Sequence, residues 1–110
     1  MTYDQLDDML GYEIVCRYTY NTDDGDQYRF LLFRLPNGNY SVLEYQTLGF
    51  PAPNDPDNTD RWLRNHREQV EAGDVDKAQI VRELRDDYYR DVWGGPGIDF
   101  ANFALEKLGA

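Results

Sequence analysis

Apolar and polar positions change period several times along the chain, and each change marks an element. Thr2-Tyr3-Asp4-Gln5 has the form of a capping box, with Thr2 as N-cap and Gln5 three residues on. Met1 and Leu6 take the flanking staple positions, and Leu6, Met9 and Leu10 make a short stripe before Gly11. A helix is predicted over residues 2–10. From Tyr12 the period drops to two. Tyr12, Ile14, Cys16, Tyr18 and Tyr20 alternate with Glu13, Val15, Arg17 and Thr19, which reads as a strand. Residues 27–35 and 40–48 read as two more strands. The joints carry Asp24-Gly25 and Asn37-Gly38, both strong signals for two-residue hairpin turns.

Those turns imply a register. Centring the second on Asn37-Gly38 opposes Leu35 to Tyr40 and Phe33 to Val42. Centring the first on Asp24-Gly25 opposes Cys16 to Phe33 and Tyr18 to Leu31. Ile14, Cys16, Tyr18, Leu31, Phe33, Leu35, Tyr40 and Val42 then share one face of a three-stranded meander. The other face carries Val15, Arg17, Tyr28, Phe30, Leu32, Leu43 and Tyr45. It is also largely apolar, so it is either covered by the C-terminal segment or exposed and adhesive.

Three prolines (Pro51, Pro53 and Pro56) make residues 49–58 a loop. Asn58 or Thr59 can cap a helix over 60–72 that ends at Gly73. Asp74 can cap a longer one over 75–93, with Ala78, Val81, Leu84, Tyr88 and Val92 on one stripe and Arg82–Asp86 and Asp86–Arg90 pairs outside it. Gly94-Gly95-Pro96-Gly97 reads as a flexible hinge, and Asp99 can cap a last helix through Leu108 with Ile98 and Phe103 as its staple. The expected fold is α+β, a three-stranded antiparallel meander in the order α-β-β-β-α-α-α, in a single compact domain over residues 1–110.

Composition adds the strongest functional hint. The chain carries 21 acidic against 11 basic residues, a net charge of −10, with 15% aromatic residues. Aromatic content of this kind separates it from disordered acidic tails. The charge is uneven: residues 1–60 hold eleven acids and only three bases, Arg17, Arg29 and Arg34. Phosphate contacts need a basic surface, so direct nucleic-acid binding is not expected. No apolar run suits a membrane span and no secretory leader is visible, and the lone Cys16 fits a reducing cytoplasm.

Catalytic and metal motifs are scarce. Cys16 has only His66 as a candidate base and reads as a small buried hydrophobe. Ser41 lies in no nucleophile elbow. The Asp23-Asp24-Gly25-Asp26 and Asp55–Asp60 clusters lack the spacing of a calcium loop and read as turn and capping residues. Arg61, Arg64 and Arg67 form a helical stripe, but Glu68 and Glu71 stand four residues after Arg64 and Arg67 and neutralise it. Gly94–Gly97 follows a helix, which does not suit a phosphate nest. The α-β-β-β-α part of the order resembles double-stranded RNA-binding domains in element order alone. No basic motif accompanies it, and the charge has the wrong sign.

The expectation is therefore a non-enzymatic, cofactor-free acidic protein that occupies a basic surface of a protein partner. Small phage-encoded inhibitors of nucleic-acid enzymes that mimic phosphate charge, anti-CRISPR proteins among them, are commonly of this kind. Toxin-neutralising immunity proteins are the alternative. A homo-oligomeric structural protein, pairing through the second sheet face as a homodimer, is a further one, and a metal-assisted hydrolase is the last. The candidate binding residues are Asp4, Asp7, Asp8, Asp23, Asp24, Asp26, Asp55 and Asp57 for charge. Tyr28, Phe30 and Tyr45 are the candidate apolar anchors if their face is uncovered.

Overall fold

A computed structural model describes residues 1–86 and 88–110, without the side chains of Tyr88 and Arg90. The expected Asp86–Arg90 pair and the Tyr88 position of the stripe lie outside the described residues. The chain forms α1 (Tyr3–Met9), β1 (Glu13–Asn21), β2 (Gln27–Arg34), β3 (Tyr40–Gln46), α2 (Pro56–Ala72), α3 (Lys77–Arg85), α4 (Tyr88–Trp93) and α5 (Gly95–Lys107). The α+β class and the antiparallel β1-β2-β3 order are as expected. The capping box of α1 is present, with Thr2 and Gln5 bonding reciprocally.

Both hairpins differ from expectation by one residue, for the same reason. Thr22 N donates to Asp26 O at 2.9 Å and Gly25 N to Thr22 O at 3.3 Å. Leu35 N donates to Asn39 O at 2.8 Å and Gly38 N to Leu35 O at 2.9 Å. Each loop therefore has three residues, with its glycine at φ +86° closing a G1 bulge. Pro36 explains the second case. In a two-residue loop it would sit in the closing hydrogen-bonded pair with no N–H to give, whereas inside the loop that lack costs nothing. Phe33 thus opposes Ser41, Leu32 opposes Val42, and Cys16 opposes Leu32.

A one-residue slip exchanges faces. Cys16, Tyr18, Tyr40 and Val42 lie with Phe30 and Leu32, not with Leu31 and Phe33. A bulge between Ile14 and Cys16 returns Ile14 to the Leu31–Phe33 face, where Leu43 and Tyr45 also lie. Neither face is open. Ile80, Leu84, Tyr89, Phe100 and Ala104 cover the first, and Leu6, Leu10, Leu63 and Val70 cover the second. The sheet is the middle layer between α1 and α2 on one side and the later helices on the other.

The helices also shift. α2 starts at Pro56 with Asp55 as N-cap, ahead of Asn58 and Thr59, because a proline suits the first helical turn. Val75 is a bridge partner of Tyr40, so α3 is capped by Asp76, not Asp74. Asp74 instead accepts from Asn37 and Asn39 of the second hairpin. The expected helix over 75–93 is broken at Asp86, whose ψ of 156° is extended. Within α3 the buried positions are Ile80 and Leu84 and Ala78 is exposed, and the break lets α4 restart in another phase with Val92 exposed.

Residues 94–97 are not a hinge. α5 begins at Gly95, four residues before Asp99. A Cβ at Gly97 would lie 2.3 Å from Tyr89 O and 2.6 Å from Trp93 Cβ, whereas one at Gly95 would meet nothing within 4 Å. Gly97→Ala is expected to destabilise the protein by about 1–3 kcal/mol through overpacking. Gly95→Ala is expected to be neutral or stabilising by up to about 1 kcal/mol. Urea midpoints of the two variants check the contrast, and equal midpoints would contradict it.

Candidate functional site

Two features stand out near α1: a buried charge network and, beside it, an open groove. The network begins with helical phase. Leu6 and Leu10 turn α1 towards the sheet, which carries Asp7 inward to 0% exposure. Arg29, on the same sheet face, is 3% exposed. Its Nη2 donates to Asp7 Oδ2 at 2.7 Å and also to Asp4, while its Nε donates to the Tyr45 hydroxyl at 2.9 Å. Tyr45 in turn donates to Asp7 Oδ1 at 2.8 Å. Arg17 Nη2 reaches Asp8 at 2.9 Å, and its Nε lies 3.4 Å from Asp7.

The electrostatics follow from burial and pairing. Burial pushes the Asp7 carboxyl above the usual aspartate range, with Arg29 and Tyr45 holding it back. The Arg29 hydrogen bond draws Asp4 below that range. Burial and the adjacent Asp7 charge push the Tyr45 hydroxyl up, so it remains a donor. Trp62 and His66 pack over Tyr45, with the His66 ring stacked on Trp62 at 3.9 Å. His66 Nδ1 is 2.7 Å from Trp62 O, a pure acceptor, so Nδ1 carries the proton. Burial lowers the His66 pKa and keeps the ring neutral.

The groove, of about 500 Å³, runs between the start of α1, the tip of the first hairpin and the chain after β3. Met1, Tyr3 and Asp4 line one side, Gly25 and Asp26 another, and Phe50 and Pro51 the mouth. A tight turn builds that mouth. Phe50 N donates to Thr47 O at 3.0 Å, and both central residues have positive φ, Leu48 at 54° and Gly49 at 75°. This is a type I′ pattern, in which a leucine costs about 1–2 kcal/mol relative to glycine. The Asp26 carboxylate anchors the turn by accepting from the Thr47 hydroxyl at 2.9 Å, is itself held by the Gln27 amide at 2.7 Å, and has the Leu48 and Gly49 amides nearby. Partial burial raises its pKa, but these bonds outweigh that and draw it below the usual range. Tyr3 Oη donates to Phe50 O at 3.2 Å from the other side.

The candidate charges divide accordingly. Asp7 is buried and unavailable to a partner. Asp4 and Asp8 are 59% and 67% exposed, but with Asp7 they share Arg17 and Arg29, leaving this cluster close to neutral. Asp23 and Asp24 are exposed at the hairpin tip, next to Asp26. Asp55 is held below the usual range by the Asn58 amide it caps, and Asp57 lies in the exposed first turn of α2. Asp23, Asp24, Asp26, Asp55 and Asp57 make no ion pair among the described residues.

The aromatic candidates fare differently, because both sheet faces are covered. Phe30 is 0% exposed between Phe100 and Trp93. Tyr28 packs beside Trp93 and Tyr20 on that same face, and Tyr45 belongs to the network on the opposite one. None of them offers a free apolar face. For the same reason the second sheet face cannot pair with another copy. The exposed apolar residues at the groove are Phe50 and Met1, at 69% and 51%, and Leu48, in the same turn as Phe50, is 65% exposed. Pattern reading put Leu48 at the end of the third strand, which stops at Gln46, and Met1 in the staple of α1, and it passed over Phe50 because a loop has no period. The available signal was Leu48-Gly49-Phe50-Pro51 itself, large apolar residues with no partner at helical or strand spacing.

The remaining chemistry is structural. Cys16 and His66 lie on opposite sides of the sheet and form no dyad. Burial pushes the Cys16 thiol up to about 11. Ser41 is buried and donates to Val70 O at 2.7 Å. Arg67 does not pair with Glu71. It donates to Leu10 O and Met9 O, the C-terminal carbonyls of α1, while Glu71 accepts from Tyr12. Among the described residues no group of three or more His, Cys, Asp or Glu is placed to hold a metal, and no helix is long and apolar enough to cross a membrane. The chain matches no known family model, no characterised protein and no solved structure.

Proposed function

We propose that this chain is a small acidic binding protein that occupies a basic surface of a protein partner. A reducing cytoplasm suits it, because there the buried thiol stays reduced. The observation that supports this reading is where charge remains uncompensated. Arg17 and Arg29 are spent on Asp4, Asp7 and Asp8, and Arg67 on the end of α1. Among the exposed acids of the first sixty residues, Asp23 and Asp24 beside Asp26 at the hairpin tip and Asp55, Asp57 and Asp60 at the start of α2 then form the two concentrated groups, with Glu13 apart from them. Carboxylates arrayed on a rigid fold raise the association rate with a basic partner and select against acidic ones. Occupying a nucleic-acid-binding surface in this way is the action of a phosphate-mimicking inhibitor of the phage or anti-CRISPR kind. A toxin-neutralising immunity protein would use the same field. The role is one of binding, not catalysis.

The test is charge reversal at exposed residues outside the buried network, where the one side-chain bond given up is that from Thr22 Oγ1 to Asp24 at the hairpin tip. Asp26 stays, because it anchors the Thr47–Gly49 turn. Asp23→Lys, Asp24→Lys and Asp57→Lys together change the net charge by six units. A deca-arginine peptide, titrated calorimetrically at two salt concentrations, is expected to bind the triple variant at least tenfold more weakly, with a shallower salt dependence. In parallel, the basic proteins captured from a lysate by the wild type are expected to be lost with the variant and at high salt. Unchanged peptide affinity together with an unchanged captured set would remove the charge reading.

A further inference from the structure

Met9, Tyr20 and Val92 are exposed singly on separate elements, but the two most exposed large apolar side chains, Phe50 and Leu48, stand in one turn. Phe50 at 69% and Met1 at 51% line the groove beside the uncompensated hairpin tip, and Leu48 at 65% stands on the same turn as Phe50. Isolated exposed hydrophobes need no explanation, but a group of them on one turn does. The turn is held rigidly. Asp26 accepts from Thr47 Oγ1, Phe50 N closes the turn on Thr47 O, and Tyr3 Oη holds the Phe50 carbonyl. Leu48 occupies a left-handed position that glycine would fill without strain, and its side chain gains almost no burial there. A rigid element that presents apolar side chains outward has already lost the conformational freedom that binding would otherwise remove.

We propose that the Leu48–Phe50 turn, with Met1 beside it, is an apolar anchor that enters a hydrophobic pocket rimmed by Lys or Arg on a protein partner. The proposal rests on the reading of a basic partner and deepens it by naming the contact. The rim chemistry follows from what surrounds the anchor. Asp26 lines the hairpin side of the groove, and Asp23 and Asp24 stand exposed beside it in the same hairpin tip, whereas Asp4 on the α1 side is paired with Arg29. A second copy would bring the same carboxylates against these, and a membrane carrying anionic lipid would meet the same repulsion. A basic rim meets them with opposite charge, and the apolar centre with a polar rim is the arrangement of a protein interface.

The experiment titrates the intact chain with two synthetic decapeptides, one alternating Lys and Leu and one alternating Lys and Gly. Affinity is read by calorimetry and location by backbone amide shifts. The Lys-Leu peptide is expected to bind at least tenfold more tightly, with shifts centred on residues 47–51 and 23–26. The variant Leu48→Gly with Phe50→Ser is expected to reduce it to the Lys-Gly level while leaving Lys-Gly binding unchanged. Both substituted side chains are exposed, and glycine suits the Leu48 backbone, so the variant folds, which circular dichroism checks. Equal binding of both peptides, or a Lys-Leu affinity indifferent to the variant, overturns the anchor and leaves the charge reading standing. No binding of either peptide overturns both. Tight Lys-Leu binding that is indifferent to Asp23→Lys with Asp24→Lys keeps the anchor and removes the charge reading. A dimer in sedimentation that the variant abolishes, or variant-sensitive binding to phosphatidylcholine vesicles, also overturns the proposal, by showing a different occupant.

Discussion

Arg29→Met is expected to destabilise the protein by about 3–5 kcal/mol, the cost of leaving a buried carboxylate without its partner. Methionine keeps most of the side-chain volume, so packing loss is a minor part. What is lost is the set of guanidinium bonds to Asp7, Asp4 and Tyr45. Arg17 compensates little, because its Nε is 3.4 Å from Asp7 and its Nη2 is committed to Asp8. Urea denaturation with Trp62 fluorescence measures the effect, since Trp62 packs on Tyr45. The pH dependence adds a signature. In the variant the Asp7 pKa rises further, so the folded state takes up a proton that the unfolded chain leaves in solution. Stability of the variant therefore rises as pH falls from 8 towards 5, and the deficit against wild type narrows. In the wild type two limbs oppose each other. The raised pKa of Asp7 favours the folded state as pH falls towards the ordinary value of 3.8, whereas the lowered pKa of Asp4 makes its contribution disappear below that value. A second variant, Asp7→Leu with Arg29→Met, is expected to recover most of the loss, because removing both charges leaves no orphan. A double variant as unstable as Arg29→Met alone would contradict this account.

Phe30→Ala is expected to cost about 3–5 kcal/mol, as for other buried aromatic truncations. The ring is stacked on Phe100 at 5.2 Å and meets Trp93 edge-on at 5.3 Å, in the layer that joins the sheet to α4 and α5. Its removal leaves a cavity between elements whose close approach at Gly97 restricts collapse. Phe50→Ser, by contrast, is expected to change stability by less than about 0.5 kcal/mol, as surface substitutions do. Thermal and urea unfolding of the pair separate a core aromatic from an exposed one. Similar losses for both would mean that Phe50 is packed in solution and would remove it as an anchor.

Local chemistry was readable wherever a residue acts on its immediate neighbours. Thr2 and Gln5 make their box, Gly25 and Gly38 make their turns, and the strands form where the period is two. The parity of β2 was also readable, with Phe30 and Leu32 opposite Leu31, Phe33 and Leu35. Errors came where a local signal admits two geometries. Asn-Gly fits both a two-residue and a three-residue loop, and only Pro36 argued for the second. The bulge at Val15 left no mark in the alternation, because Tyr12, Ile14 and Cys16 are apolar on either reading.

The candidate site was legible in part. The concentration of acids in residues 1–60 drew attention to the half that holds the groove, and Asp23 and Asp24 do stand exposed. Asp7 went the other way because a stripe of Leu6 and Leu10 drags its neighbour inward, and Arg29 waits on a strand more than twenty residues away to receive it. Net charge counts such a pair as two exposed groups, although burial has removed both from the surface.

The amino-acid order by itself determined the α+β class, the three-stranded meander, the caps of α1 and the acidic bias of the first half, because these depend on residues a few positions apart. Only the tertiary structure decided which carboxylates remain free, that both faces of the sheet are covered, and that Leu48 and Phe50 stand exposed on one turn while Tyr28, Phe30 and Tyr45 are packed. Burial and ion pairing join positions far apart in the chain, and a one-residue change of register reverses which side chains they join.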